Sequence, residues 1–104
     1  MKKGDFIKIN NAIDDFIMCG VPTGITWKYG MVIDENVETR PDCVLCRFFN
    51  INGDESGRGI CKKEKSEVIF TKEQIETYAY DDFDEDERPY LKGKLLKKWK
   101  EYFL

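Results

Sequence analysis

Residues 43–49, Cys-Val-Leu-Cys-Arg-Phe-Phe, restrict the fold more than any other stretch of the chain. β-Branched and aromatic residues at this density read as a strand, and successive strand side chains leave on opposite faces. Val44, Cys46 and Phe48 then share one face, and Leu45 and Phe49 the other. Both faces are apolar, so the strand has to lie between two covering layers. An opposing or rolled sheet supplies one layer. The other has to come from a different element.

The C-terminal segment is suited to that task. Pro89 opens a helix, as proline is tolerated in a first turn, and Leu91, Leu95, Trp99 and Phe103 recur every four residues. Lys92, Lys94, Lys97, Lys98 and Lys100 are basic. The segment is amphipathic despite Gly93, which costs about 1 kcal/mol relative to Ala. The expectation is that its Leu/Trp stripe docks on the second face of strand 43–49. A homo-oligomer formed through this helix is the alternative.

Elsewhere, residues 4–10 read as a first strand with Ile7 and Ile9 on one face. Residues 11–23 read either as a short helical turn or as a long loop, closed by Pro22-Thr23-Gly24. Ile25, Trp27, Tyr29, Met31 and Ile33 then alternate with Thr26, Lys28, Gly30, Val32 and Asp34, the strongest strand signal in the chain. Gly30 in its middle suggests a bulge or bend. Residues 35–42 form a polar turn, and Asn52-Gly53-Asp54 a hairpin turn. Strand segments follow at 59–62 and 67–70. Thr71-Lys72-Glu73-Gln74 is a capping box, opening a short helix that places Ile75, Tyr78 and Ala79 on one side. Residues 81–87 are an acidic loop.

With 104 residues the chain is expected to form a single domain, 1–104: about 4–77 as barrel and short helix, 81–88 as acidic loop, 89–103 as C-terminal helix. The fold class is α+β, mainly β. The order Gly4-Asp5-Phe6-Ile7-Lys8-Ile9, a long loop, Gly30-Met31-Val32-Ile33, Val44 to Phe49, a hairpin, then Val68-Ile69-Phe70 and a capped turn resembles an SH3-like small β-barrel. A rolled antiparallel sheet has the same cues. The resemblance covers about residues 4–77 and implies a binding module that presents loops and an aromatic face to a peptide or nucleic acid. The C-terminal helix departs from the minimal barrel.

Chemistry-bearing motifs are sparse. The chain has no histidine to act as a neutral-pH base, and no phosphate loop, nucleophile elbow or zinc-protease motif. Cys43 and Cys46 form a CxxC, but in a strand residues three apart face opposite ways and cannot share a metal ion. No second CxxC completes a zinc set, and the redox form of the motif belongs at a helix start. The thiols, Cys19 and Cys61 included, therefore read as small core side chains. The acidic loop lacks the spacing of a calcium loop. The expectation is a protein that is not an enzyme and needs no metal or cofactor.

Net charge is −3 and the pI about 5.0, so direct nucleic-acid binding is not expected. There is no apolar run of membrane-spanning length, and the opening residues lack a signal-peptide core, so the chain reads as cytoplasmic. Lysine far outnumbers arginine and Asn, Ile and Asp are frequent, a bias of AT-rich genomes that suggests a bacterium or phage. The partner is expected to be a protein. Candidate interaction residues are Trp27, Tyr29, Tyr78, Tyr80 and Phe83, with Asp81, Asp82, Asp84, Glu85, Asp86 and Glu87. Aromatics set among acids resemble a binding hot spot. Trp27 and Tyr29 share a face with Ile25, Met31 and Ile33, so core packing is the role their spacing favours over recognition. Two other functions fit the composition: an acidic mimic of DNA that blocks a nucleic-acid-binding protein, and a small-ligand or nucleotide-sequestering protein.

Overall fold

The computed structural model describes residues 1–9, 28–77 and 89–104. Five strands, β1 (Phe6–Ile9), β2 (Tyr29–Asp34), β3 (Cys43–Phe49), β4 (Glu55–Lys62) and β5 (Ser66–Phe70), are followed by helices α1 (Lys72–Thr77) and α2 (Pro89–Phe103). The strands form one antiparallel sheet in the order β4-β3-β2-β1-β5. The sheet does not close among the described residues, where β4 and β5 form its two ends. A 3₁₀ turn, Lys63–Lys65, joins β4 to β5.

Strand 43–49 buries apolar side chains on both faces, with Leu45 and Arg47 half-buried. On one face Val44, Cys46 and Phe48 pack with Ile7, Ile9, Val32 and Cys61. On the other, Phe49 joins Phe6, Met31 and Phe70 under Ile75 of α1 and Leu95, Leu96 and Trp99 of α2. Leu96 belongs to the stripe although a four-residue spacing misses it, because a docked helix buries an arc about 100° wide. Leu95, Leu96 and Trp99 are almost fully covered within one chain. Any self-association through α2 therefore falls to its exposed side.

Two details of β2 differ from the alternation. Val32, placed by period among the outward residues, is fully buried on the face away from the helices. The register shift lies between Val32 and Asp34, so Ile33 is the irregular residue. Gly30 is not the site of the bulge. It sits opposite Ile7 and Phe48, where a Cβ would come within 3.1 Å of Ile7 Cγ1. Its missing side chain makes room for the core.

The Gly4-Asp5 pair ties the layers together. Gly4 takes φ +94°, a conformation that favours glycine, and its N–H donates to the Val32 carbonyl at 2.8 Å. Its own carbonyl accepts from Trp99 Nε1 at 2.9 Å. The buried Asp5 carboxylate accepts the Lys2 N–H and the Lys72 N–H, each at 2.9 Å. The first free amide of α1 is thus capped from the far end of the chain. The capping box closes reciprocally: Thr71 N–H donates to Gln74 Oε1 at 2.9 Å, and Gln74 N–H to Thr71 Oγ1 at 3.3 Å.

Candidate interaction surface

At the outer end of the sheet, β3 and β4 pair in a register that sets Leu45 opposite Ile60 and Arg47 opposite Arg58. Directly opposed residues of an antiparallel pair share a face. These four therefore lie on the helix side of the sheet, in line with Phe49. Leu45 and Ile60 are half-buried and Arg58 is exposed.

Two arginines thus face one another across the pair, an unfavourable arrangement for like charges, and of the two only Arg47 forms an ion pair among the described residues. Arg47 Nη1 donates to Glu55 Oε1 in a short ion pair. Tyr102 at the end of α2 donates its hydroxyl to Glu55 Oε2 at 2.6 Å. The Arg47 guanidinium lies 4.8 Å above the Tyr102 ring, within cation–π range. Burial pulls the Glu55 carboxyl upward, but the hydrogen bonds from Tyr102 and Arg47 outweigh it and leave it below its ordinary value. Burial and the bond to Glu55 push the Tyr102 hydroxyl up. The bond to Glu55 also holds Arg47 more firmly protonated. Arg58 makes no ion pair among the described residues.

Beside this cluster, Gly53, Asp54 and Glu55 face Lys94, Lys97, Lys98 and Glu101 across a groove of about 290 Å³. The hairpin holds its own shape. Asn50 Oδ1 accepts the Asn52 and Asp54 N–H groups, and Gly53 adopts φ +86°. Lys94 reaches it, donating to the Asn52 carbonyl at 3.0 Å. A wider cleft of about 560 Å³ lies at the C-terminal end of α2, between the N-terminal turn and α1. Its lining sets Lys2, Lys3 and Lys72 against Glu35, Glu73 and Glu76, which leaves no preferred sign of ligand charge.

Cys43, Cys46 and Cys61 are buried. Burial raises Cys46 well above an ordinary thiol, with Cys61 adding to it. Burial, and then the Asp42 carboxylate, raise Cys43. Cys46 and Cys61 share one apolar cluster, and Cys43 belongs to neither. Among the described residues no three metal-ligating side chains converge. No described helix is long and apolar enough to cross a membrane.

Of the interaction residues expected from the sequence, Tyr29 is half-buried and packs against the Phe6–Met31–Trp99 core, the packing role its spacing allowed. Trp27, Tyr78, Tyr80, Phe83, Asp81, Asp82, Asp84, Glu85, Asp86 and Glu87 lie outside the described residues. The Arg47–Arg58–Glu55–Tyr102 cluster carried no sequence signal. Its members are up to 55 positions apart (102 − 47) and meet only through strand register and helix docking. Comparison with known proteins finds no match to a family model, a characterised protein or a solved structure.

Proposed function

We propose that this chain is a non-catalytic binding module on an SH3-like framework, an accessory or inhibitory protein that acts by engaging a protein partner. The framework reading is supported by the pairing of β1 with both β2 and β5, which brings the first and last strands together as a small barrel requires. The observation that carries the binding reading is the surface cluster. Arginine and tyrosine, the residue types enriched in binding hot spots, gather at the end of the sheet, and Arg58 has no ion-pair partner among the described residues. Cys46 favours the same reading, because burial holds its thiol in the unreactive protonated form.

The test uses the full chain as immobilised bait in a lysate of its native host, followed by mass spectrometry and reconstitution with each purified candidate. A stoichiometric complex in calorimetry, with no chemical change in either component, supports the proposal. Turnover of a reconstituted partner overturns it. So does a nucleotide that co-purifies at one per chain with no protein partner.

A further inference from the structure

We infer that the outer edge of β4 is a strand-addition site for an extended acidic peptide segment of a partner protein, with Arg58 as its charge anchor. The inference rests on the binding-module reading and goes beyond it by naming the site and the chemistry of the occupant.

The placement comes first. Among the described residues β4 is the longest strand, eight residues, and it pairs with β3 alone. An end strand offers a row of backbone donors and acceptors to another strand, and natural edges are usually short or interrupted by proline. This edge contains no proline; its register shift lies at the Glu55–Gly57 end, and residues 57–62 pair with β3 one to one.

Charge then selects the occupant. Arg47 and Arg58 face one another across the β3–β4 pair, and Glu55 compensates only Arg47. Like charges directly opposed across a pair are unfavourable, and a carboxylate from a third strand would relieve the repulsion. A strand added beside β4 sets one side chain next to Arg58 and another, two residues on, next to Ile60. The first position takes Asp or Glu, and the second an apolar residue that covers half-buried Ile60 and Leu45. The segment therefore alternates acidic and apolar residues in this register.

The same charges disfavour other occupants. Two copies meeting edge to edge in antiparallel register about position 58 would set Arg58 against Arg58. A nucleic-acid backbone would meet Asp54, Glu55 and Glu101 as well as Lys94, Lys97 and Lys98 beside the cluster, a lining with no net charge to hold it.

The experiment selects random twelve-residue displayed peptides on the full-length protein and counter-selects on Arg58→Glu. Arg58 is exposed and makes no ion pair among the described residues, so this variant is expected to fold, and circular dichroism checks that it does. The expected result is a set of peptides alternating Asp or Glu with apolar residues. They should bind Arg58→Glu at least about tenfold more weakly and Arg58→Ala at an intermediate level. Affinity should fall as salt rises and be lost when a central residue is replaced by proline. Amide signals of residues 55–62 should shift on binding. Failure to recover peptides, or recovery of peptides indifferent to Arg58→Glu, overturns the inference. Tight binding of a twenty-nucleotide oligothymidylate, abolished by Arg58→Glu, overturns it in favour of nucleic acid. If a protein partner captured from the host binds wild type and Arg58→Glu equally, the module reading stands and the β4 site alone fails.

Discussion

Replacing Trp99 tests the central packing relation of this protein, the docking of α2 onto the sheet. The ring is about 2% exposed, stacks against Phe103 at 5.4 Å between centroids, and donates its Nε1–H to the Gly4 carbonyl at 2.9 Å. Trp99→Ala removes the ring and leaves a cavity, a loss of about 3–5 kcal/mol. It also deprives the Gly4 carbonyl of its partner, which would cost about 1–3 kcal/mol if the group stayed dry. The two losses do not add in full, because Trp99 and Gly4 both line the cleft at the end of α2 and water can reach the carbonyl once the ring is gone. The expected total stays near 3–5 kcal/mol, a large share of the roughly 5–15 kcal/mol that hold a domain together. At a urea slope of about 1–3 kcal/mol/M, the midpoint falls by about 1–5 M. Trp99→Phe retains most of the ring and removes the N–H, so it should cost clearly less. Both variants are read by urea denaturation followed by circular dichroism. A loss below about 1 kcal/mol for Trp99→Ala would refute the docking of α2 as the source of this stability. So would a chain ending at residue 88 that keeps its midpoint and loses only oligomer mass in light scattering.

Four shorter predictions follow from other contacts. Asp5→Ala removes the acceptor of the Lys2 and Lys72 N–H groups and should cost about 1–2 kcal/mol in the same urea assay. Tyr102→Phe should cost about 0.5–1.5 kcal/mol, toward the low end because the cluster is partly exposed. A carboxyl held below its unfolded value contributes stability that is present above that value and lost as pH falls through the folded one. Tyr102→Phe should accordingly move the Glu55 titration up in a carboxyl NMR experiment and shrink the acid loss of stability. Arg58→Glu should leave the fold as stable or add up to about 1 kcal/mol, since it turns a repulsive cross-strand pair into an attractive one; a large loss in thermal or urea melts would show that the arginines are not in conflict. In a Cys19→Ser chain, Cys43, Cys46 and Cys61 should resist a thiol-reactive disulfide reagent until the protein unfolds, and rapid labelling of the native state would contradict their burial.

Much of the fold was legible locally. The seven residues of β3 announced their strand and its two buried faces, because a period of two needs only neighbours to be read. The Thr71–Gln74 box identified the start of α1 through hydrogen bonds that span three residues. Pro89 and the four-residue stripe marked α2, whose ends agree with its pattern. Only tertiary structure could decide the rest. The role of Gly30 depends on Ile7 across the strand pair, the burial of Val32 on register, and the function of Asp5 on an amide 67 positions away. The interaction surface is of this second kind. Arg47, Arg58, Glu55 and Tyr102 are ordinary polar residues in their own segments, and their meaning arises where β3, β4 and α2 converge. Periodicity and capping are short-range and are written along the chain. Charge conflict and edge exposure belong to pairs of segments, and exist only after the sheet has chosen its register.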